Sequence, residues 1–142
     1  MQVSDLMCTH IVTVPPDCTA ADAAAVMVRS DTGFIPVCGE KGNLLGVLTD
    51  RDLVSRCIAP RLDPERVQVQ ELMTRGVVSV SPEEDVKTAA DVMSGEQLRR
   101  LPVVDRERLV GVLSLADLVH SELYDMEAAY ALTEITDSPR PY

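Results

Sequence analysis

GVLTDRDL at residues 46–53 and GVLSLADL at residues 111–118 are one phrase written twice in a chain of 142 residues. In each, an apolar run ends on a hydroxyl residue, Thr49 or Ser114, and a carboxylate follows three positions later, Asp52 or Asp117. A hydroxyl residue followed at that distance by an acid is the signature of a helix N-terminus, where the first backbone N–H groups need acceptors. The phrase therefore reads as a strand that runs straight into a helix. Working outward, a shift of 66 residues lays VSDLMCTHIVTVPPD over VQELMTRGVVSVSPE and Pro36-Val37 over Pro102-Val103. A one-residue deletion in the next turn changes the shift to 65. Pairing residues 3–39 and 44–54 with their partners gives 48 pairs, of which 19 are identical, so the chain is a duplication.

Each copy predicts the same elements. A β-branched run, Ile11–Val14 or Val77–Val80, reads as a strand that stops at a proline-bearing loop. Thr19, with Asp22 three residues on, and Asp85 are placed to cap the Ala-, Val- and Met-rich helices that follow. Phe34–Cys38 and Leu101–Val104 read as second strands, and Leu44–Leu48 and Leu109–Leu113 as third strands across the turns Gly39–Asn43 and Asp105–Arg108. The expected class is α/β (α+β in some schemes), with two β-α-β-β-α units. The first two strands of a unit should be parallel and the last two an antiparallel hairpin. Each unit is too small to bury its apolar faces alone, so the copies are expected to pack sheet to sheet about a pseudo-two-fold axis. The expected boundaries are 1–58 for the first repeat, 59–66 for a linker and 67–121 for the second repeat. Residues 122–142 form an acidic helix and tail, whose Leu123, Met126, Tyr130 and Leu132 or Thr133 share a face that packs on the domain or meets another copy.

Composition narrows the function. The formal charge is −10, from 13 basic and 23 acidic residues, which disfavours binding to a nucleic-acid backbone. No apolar run approaches the roughly 18 residues of a membrane span, and the N-terminus lacks a secretion pattern, so a cytoplasmic protein is expected. Cys8, Cys18, Cys38 and Cys57 form no C-x-x-C pair. Cys8 and His10 lie close in sequence, but no second ligand pair is visible to complete a metal site. The histidines, His10 and His120, have no nucleophile or carboxylate in a catalytic pattern, and an enzyme is not expected.

The repeated D-L-M or E-L-M lead-in, the strand with its proline loop, the Pro-Val strand and the G-h-h-[ST]-x-x-D-h phrase together resemble a tandem pair of CBS domains, or Bateman module, over roughly residues 3–120. The resemblance implies clefts between the repeats that bind adenosine compounds such as AMP, ADP, ATP or S-adenosylmethionine. It also implies a homodimer, and regulation of another protein; no regulated domain accompanies the pair here, so output would pass through association with a partner. The residues it points to are Thr49, Arg51 and Asp52 in one copy and Ser114 and Asp117 in the other. The strand residues Ile11, Val12 and Thr13, with Val77, Val78 and Ser79, would form adenine slots. Ile35-Pro36 in one copy and Arg99-Arg100-Leu101-Pro102 in the other would run towards the clefts.

Physical chemistry supports these roles and an ordinary alternative to each. An ionised carboxylate suits the vicinal hydroxyls of a ribose, since it accepts two charge-assisted hydrogen bonds. Arg51 and the pair Arg99-Arg100 suit phosphate. Yet S/T-x-x-D caps a helix with no ligand at all, Arg51 equally suits a surface ion pair, and half of the strand residues must face a core. Two functions therefore stand side by side: a nucleotide-responsive regulatory module, and a ligand-free scaffold for dimerisation or docking.

Overall fold

The computed structural model describes residues 1–121 and 125–137, with nothing to be said of the side chains of 125–128. In chain order the elements are α1 (Val3–Leu6), α2 (Ala20–Arg29), β1 (Phe34–Cys38), β2 (Leu44–Thr49) and α3 (Asp50–Leu53), which continues as a π-helical turn (Val54–Ile58). The second copy follows with α4 (Val69–Leu72), α5 (Val86–Glu96), β3 (Arg100–Asp105), β4 (Arg108–Ser114), α6 (Leu115–Val119) and finally α7 (Asp125–Asp137). Helix and strand are mixed, and the sheets are two antiparallel pairs, β1–β2 and β3–β4.

The caps form as the sequence suggests. Thr19 Oγ1 accepts from the Asp22 N–H at 3.2 Å, and Asp85 Oδ1 accepts from the Lys87 N–H at 2.8 Å. The hairpins form too, with Phe34 opposite Thr49 and Pro36 opposite Val47. The first strand of each unit does not. Of Ile11–Val14 only Val14 pairs, in a parallel bridge to Val37, and of Val77–Val80 only Val80 pairs, with Val103. Pro15 supplies no N–H to carry the first bridge further, and Pro82 stands just beyond the second. The expected first strand is thus a single parallel rung per unit.

The two compact units do not coincide with two contiguous halves of the chain. One, the copy-one unit, comprises Val12–Val77 with Glu107–Leu109. The other, the copy-two unit, takes Met1–Ile11, Val78–Arg106 and the described part of 110–142. Each lead-in packs with the other copy. The Val3 N–H donates to Glu84 O at 2.8 Å, and the equivalent Val69 N–H donates to Cys18 O at 2.8 Å. Cys8 and Val112 exchange both backbone bonds, as do Thr74 and Val47. Val3 consequently sits in one core with Val86, Met93, Leu101, Leu113 and Leu118. Val69, Leu72 and Met73 sit in the other with Ala23, Met27, Ile35, Val37 and Leu48.

The lead-ins also explain two glycines. A Cβ on Gly46 would stand 2.6 Å from Thr74 O, and one on Gly111 would stand 2.5 Å from Met7 Sδ. Both strands need a bare backbone where a lead-in crosses them.

In the tail, Tyr130 and Leu132 do not supply the packing on the domain that is one of the two expectations for their stripe. α7 packs on α5 and α6, and among its described side chains Ala131 and Ile135 are buried. Tyr130 is 59% exposed and Leu132 42% exposed. Leu123 lies outside the described residues, as does the side chain of Met126.

Candidate nucleotide site

In both copies the strand-to-helix junction is closed by a reciprocal pair of bonds. The Thr49 N–H donates to Asp52 Oδ2 at 2.9 Å, and the Asp52 N–H donates to Thr49 Oγ1 at 3.1 Å. The Ser114 N–H donates to Asp117 Oδ2 at 2.7 Å, and the Asp117 N–H donates to Ser114 Oγ at 3.1 Å. One backbone bond fixes the turn before each: Asp50 N–H to Gly33 O at 3.0 Å, and Leu115 N–H to Arg99 O at 2.8 Å. The capping role is therefore realised twice. It uses one oxygen of each carboxylate and leaves Oδ1 for another partner.

The copies then diverge. Asp52 Oδ1 lies 3.6 Å from Arg56 Nη2, and the Asp52 side chain is only 14% exposed. Arg56 is itself held from behind, since Nη1 donates to Leu72 O at 2.7 Å and to Thr74 Oγ1 at 3.1 Å. The matching residue in copy two is Ser121, a buried hydroxyl whose Oγ lies 3.9 Å from Met1 Sδ. Among the described residues no cation is paired with Asp117. The sequence reading passed over Arg56; its signal was the i,i+4 spacing from Asp52 on a helix.

The other candidate residues separate by burial. Ile35, Pro36, Leu101 and Pro102 are buried. The side chains of Ile35 and Leu101 belong to the two cores, so these positions offer a ligand main chain rather than side chain. The carbonyls of Pro36 and Pro102 are already used, accepting from Val14 and Val80 at 3.2 and 3.1 Å. Val12, Thr13 and Ser79 are exposed, and Ile11, Val77 and Val78 half-buried. The unit boundary falls between Ile11 and Val12 and again between Val77 and Val78. Arg51, Arg99 and Arg100 are exposed.

Neither thiols nor metal-ligand groups add a reactive centre among the described residues. Burial, with Asp22 and Asp17 nearby, pushes the Cys18 thiol up to about 11; burial raises Cys38, and burial with Asp63 raises Cys57. A thiol held protonated is a poor nucleophile. Cys8 is exposed, with Sγ 3.5 Å from His10 O, and no three His, Cys, Asp or Glu side chains among the described residues converge as metal ligands.

A duplicated α/β unit in which each hairpin strand closes onto a helix through a capping carboxylate defines a paired-repeat architecture. The chain belongs to the CBS-domain family, whose model matches residues 3–59 and 69–124. It is 40% identical over 134 residues to the CBS domain-containing protein YhcV of Bacillus subtilis, covering 94% of each chain. Among solved structures it is similar to Hypoxic Response Protein I with two coordinated zinc ions, at 34% identity and a TM-score of 0.78, over 85% of this chain and 99% of that one. It is also similar to CBSX2 in complex with AMP, at 26% identity and a TM-score of 0.76, over 88% and 98% of the two chains. The CBS domain pair of MJ0100, in complex with 5′-methylthioadenosine and S-adenosyl-L-methionine, matches at 26% identity and a TM-score of 0.72, over 82% and 91%.

Proposed function

We propose that this chain is a non-catalytic regulatory module that binds an adenosine-type nucleotide, AMP, ADP, ATP or S-adenosylmethionine, and signals through a partner protein as a homodimer. The observation that carries the reading is the CBS pair itself, with Asp52 and Asp117 each presenting a carboxylate at the end of a hairpin strand, in a fold whose similar structures hold AMP or S-adenosylmethionine. In this reading the carboxylate oxygen that the cap does not use accepts from ribose hydroxyls, Thr49 or Ser114 stands beside it, and Arg51 or Arg99-Arg100 meets phosphate. Main chain near Ile35-Pro36 and Leu101-Pro102, with Ile11–Thr13 and Val77–Ser79, frames the adenine. Such a ligand regulates only as far as it binds two arrangements of the protein differently.

The chain carries no tryptophan and one phenylalanine, so affinity would rest on hydrogen bonding and aliphatic contact rather than aromatic stacking. No helix among the described residues is long and apolar enough to cross a membrane.

Thermal unfolding with each of the four nucleotides at millimolar concentration tests the reading. A ligand at about 100 times its dissociation constant adds about 2.7 kcal/mol, a rise of about 8 °C for a chain this size. Unchanged melting with all four would overturn the nucleotide reading. It would favour the ligand-free scaffold, for which the satisfied caps at Asp52 and Asp117 are the supporting observation.

A further inference from the structure

Among the described residues one of the two junctions, that of Asp52, has a paired cation, and that difference is built into the backbone. In copy one, α3 gives way after four residues to the π-helical turn Val54–Ile58, where the Ala59 N–H reaches back to Val54 O at 2.8 Å. Arg56 lies inside that turn, with Nη2 facing Asp52 and Nη1 tethered to Leu72 O and Thr74 Oγ1. Both tethers come from the lead-in of the second copy, which packs in the copy-one unit. In copy two, α6 stays α-helical to Val119, and Ser121 replaces the arginine and is buried. π-helical turns inside helices are rare and concentrate at functional positions.

We infer that Arg56 is a residue that sets the order of ligand occupancy: it competes with ribose hydroxyls for Asp52 Oδ1, so that a nucleotide engages Asp117 more tightly than Asp52. This rests on the nucleotide reading above and goes beyond it by ranking the two sites. The competition has a definite origin. A ligand hydroxyl arriving at Asp52 must displace or share an oxygen already facing a guanidinium, and the guanidinium does not drift away when displaced because two acceptors hold its other nitrogen. At Asp117 the same oxygen faces no cation among the described residues. Arg56 is 45% exposed, so the effect is that of a partly screened ion pair, about fivefold in affinity.

Calorimetric titration with AMP of the full chain tests this, alongside D117N, D52N, R56S and R56Q. Asparagine keeps an oxygen for the capping bond, and R56Q keeps a donor near Leu72 O should R56S fail to fold. The expected wild-type isotherm has a tighter and a weaker class of site. D117N removes the tighter class, D52N the weaker, and the Arg56 variants strengthen the weaker class about fivefold while leaving the tighter one in place. Where only the tighter class is measurable, its loss in D117N and not in D52N gives the same answer. Loss of the tighter class in D52N overturns the inference, as do equal wild-type sites that the folded Arg56 variant leaves unchanged. If wild type and every variant bind no AMP, the nucleotide reading has failed and the ranking with it, an outcome plainly different from two equal sites.

Discussion

The two copies share Asp and differ in its company. Asp52 sits between Asp50 and Arg56, whereas Asp117 sits between Leu115, which is buried, and Ser121. Copy one has thus surrounded its carboxylate with charge, and copy two with packing. The shared part is what the fold demands: an N–H acceptor at the strand-to-helix junction, supplied at 2.9 Å in one copy and 2.7 Å in the other. The unshared part lies on the side chain's second oxygen, which the fold does not use. Duplication fixes the scaffold residues and leaves the neighbours of Oδ1 to vary. Gly33 shows the same division: a Cβ there would lie 2.6 Å from Asp50 Oδ2, while its counterpart, with Leu115 in place of Asp50, is Arg99.

The largest expected effects test whether the copies are equal where the fold demands it. Ile35 and Leu101 are matched positions, both fully buried. Replacing either with alanine removes several buried methyl and methylene groups and leaves a cavity, at a cost of about 3 kcal/mol. Urea unfolding of I35A and L101A should show similar losses. A tolerated substitution at one of them would break the equivalence of the cores and free that side chain for a ligand role.

The next effect sharpens a difference. At Gly46 an added methyl meets Thr74 O, a backbone carbonyl that accepts from the Val47 N–H. At Gly111 it meets first the far end of Met7, a side chain that can swing aside. G46A should therefore cost about 2–3 kcal/mol and G111A about 1 kcal/mol, both within the range for overpacking. Melting temperatures of the two variants check the order, and equal losses would mean that the lead-ins cross the strands with the same freedom.

Much of this was legible in the sequence, for reasons the particular elements make clear. The hairpins and caps are local: Thr19, Asp85, Thr49 and Ser114 act on amides two or three residues away, so spacing alone finds them. The parallel sense of Val14 and Val80 was legible from the intervening helix, but the length of that strand was not. A β-branched run signals extended backbone without saying how many of its amides find partners. The exchange of lead-ins was invisible for a deeper reason. Val3 and Val69 occupy identical local patterns, and a duplicated sequence offers two chemically similar surfaces for each. The π-helical turn was hidden as well, because Val54-Ser55-Arg56-Cys57-Ile58 reads as ordinary helix. With it went the tethering of Arg56, which depends on Leu72 and Thr74 arriving from the other lead-in.

The hairpin turns offer a smaller test. Gly42 takes the positive φ of its turn at +79°, as glycine does without strain. The turn in copy two places Arg106 and Glu107 at φ 51° and 70°, the two central positions where Asn-Gly is favoured. E107G should therefore stabilise the protein by about 0.5–1 kcal/mol, read as a higher urea midpoint at unchanged slope. An unchanged or lowered midpoint would show that the Glu107 backbone, whose carbonyl accepts from the Leu44 N–H at 3.2 Å, is held by more than its own turn.

The smallest effect separates Cys18 from its counterpart Glu84. Both precede the N-cap of the long helix by one residue, but Cys18 is a thiol raised from 9.0 to about 11, chiefly by burial and then by Asp22 and Asp17. Because the folded protein holds this proton more tightly than the unfolded chain, its contribution to stability is complete below pH 9. It then falls as pH rises towards 11, because the unfolded state gains by ionising first. Solvent reaches the site, so the contribution is below about 1 kcal/mol. Wild type should lose more stability between pH 8 and pH 10.5 than C18A does, and comparing the two cancels the lysines and tyrosines that titrate in both. Parallel losses would show that the Cys18 thiol ionises in the folded state as readily as in the unfolded one. Alkylation at pH 8 offers a second reading of the same property: exposed Cys8 should react well before Cys18, since the thiolate is the reacting form and burial withholds it.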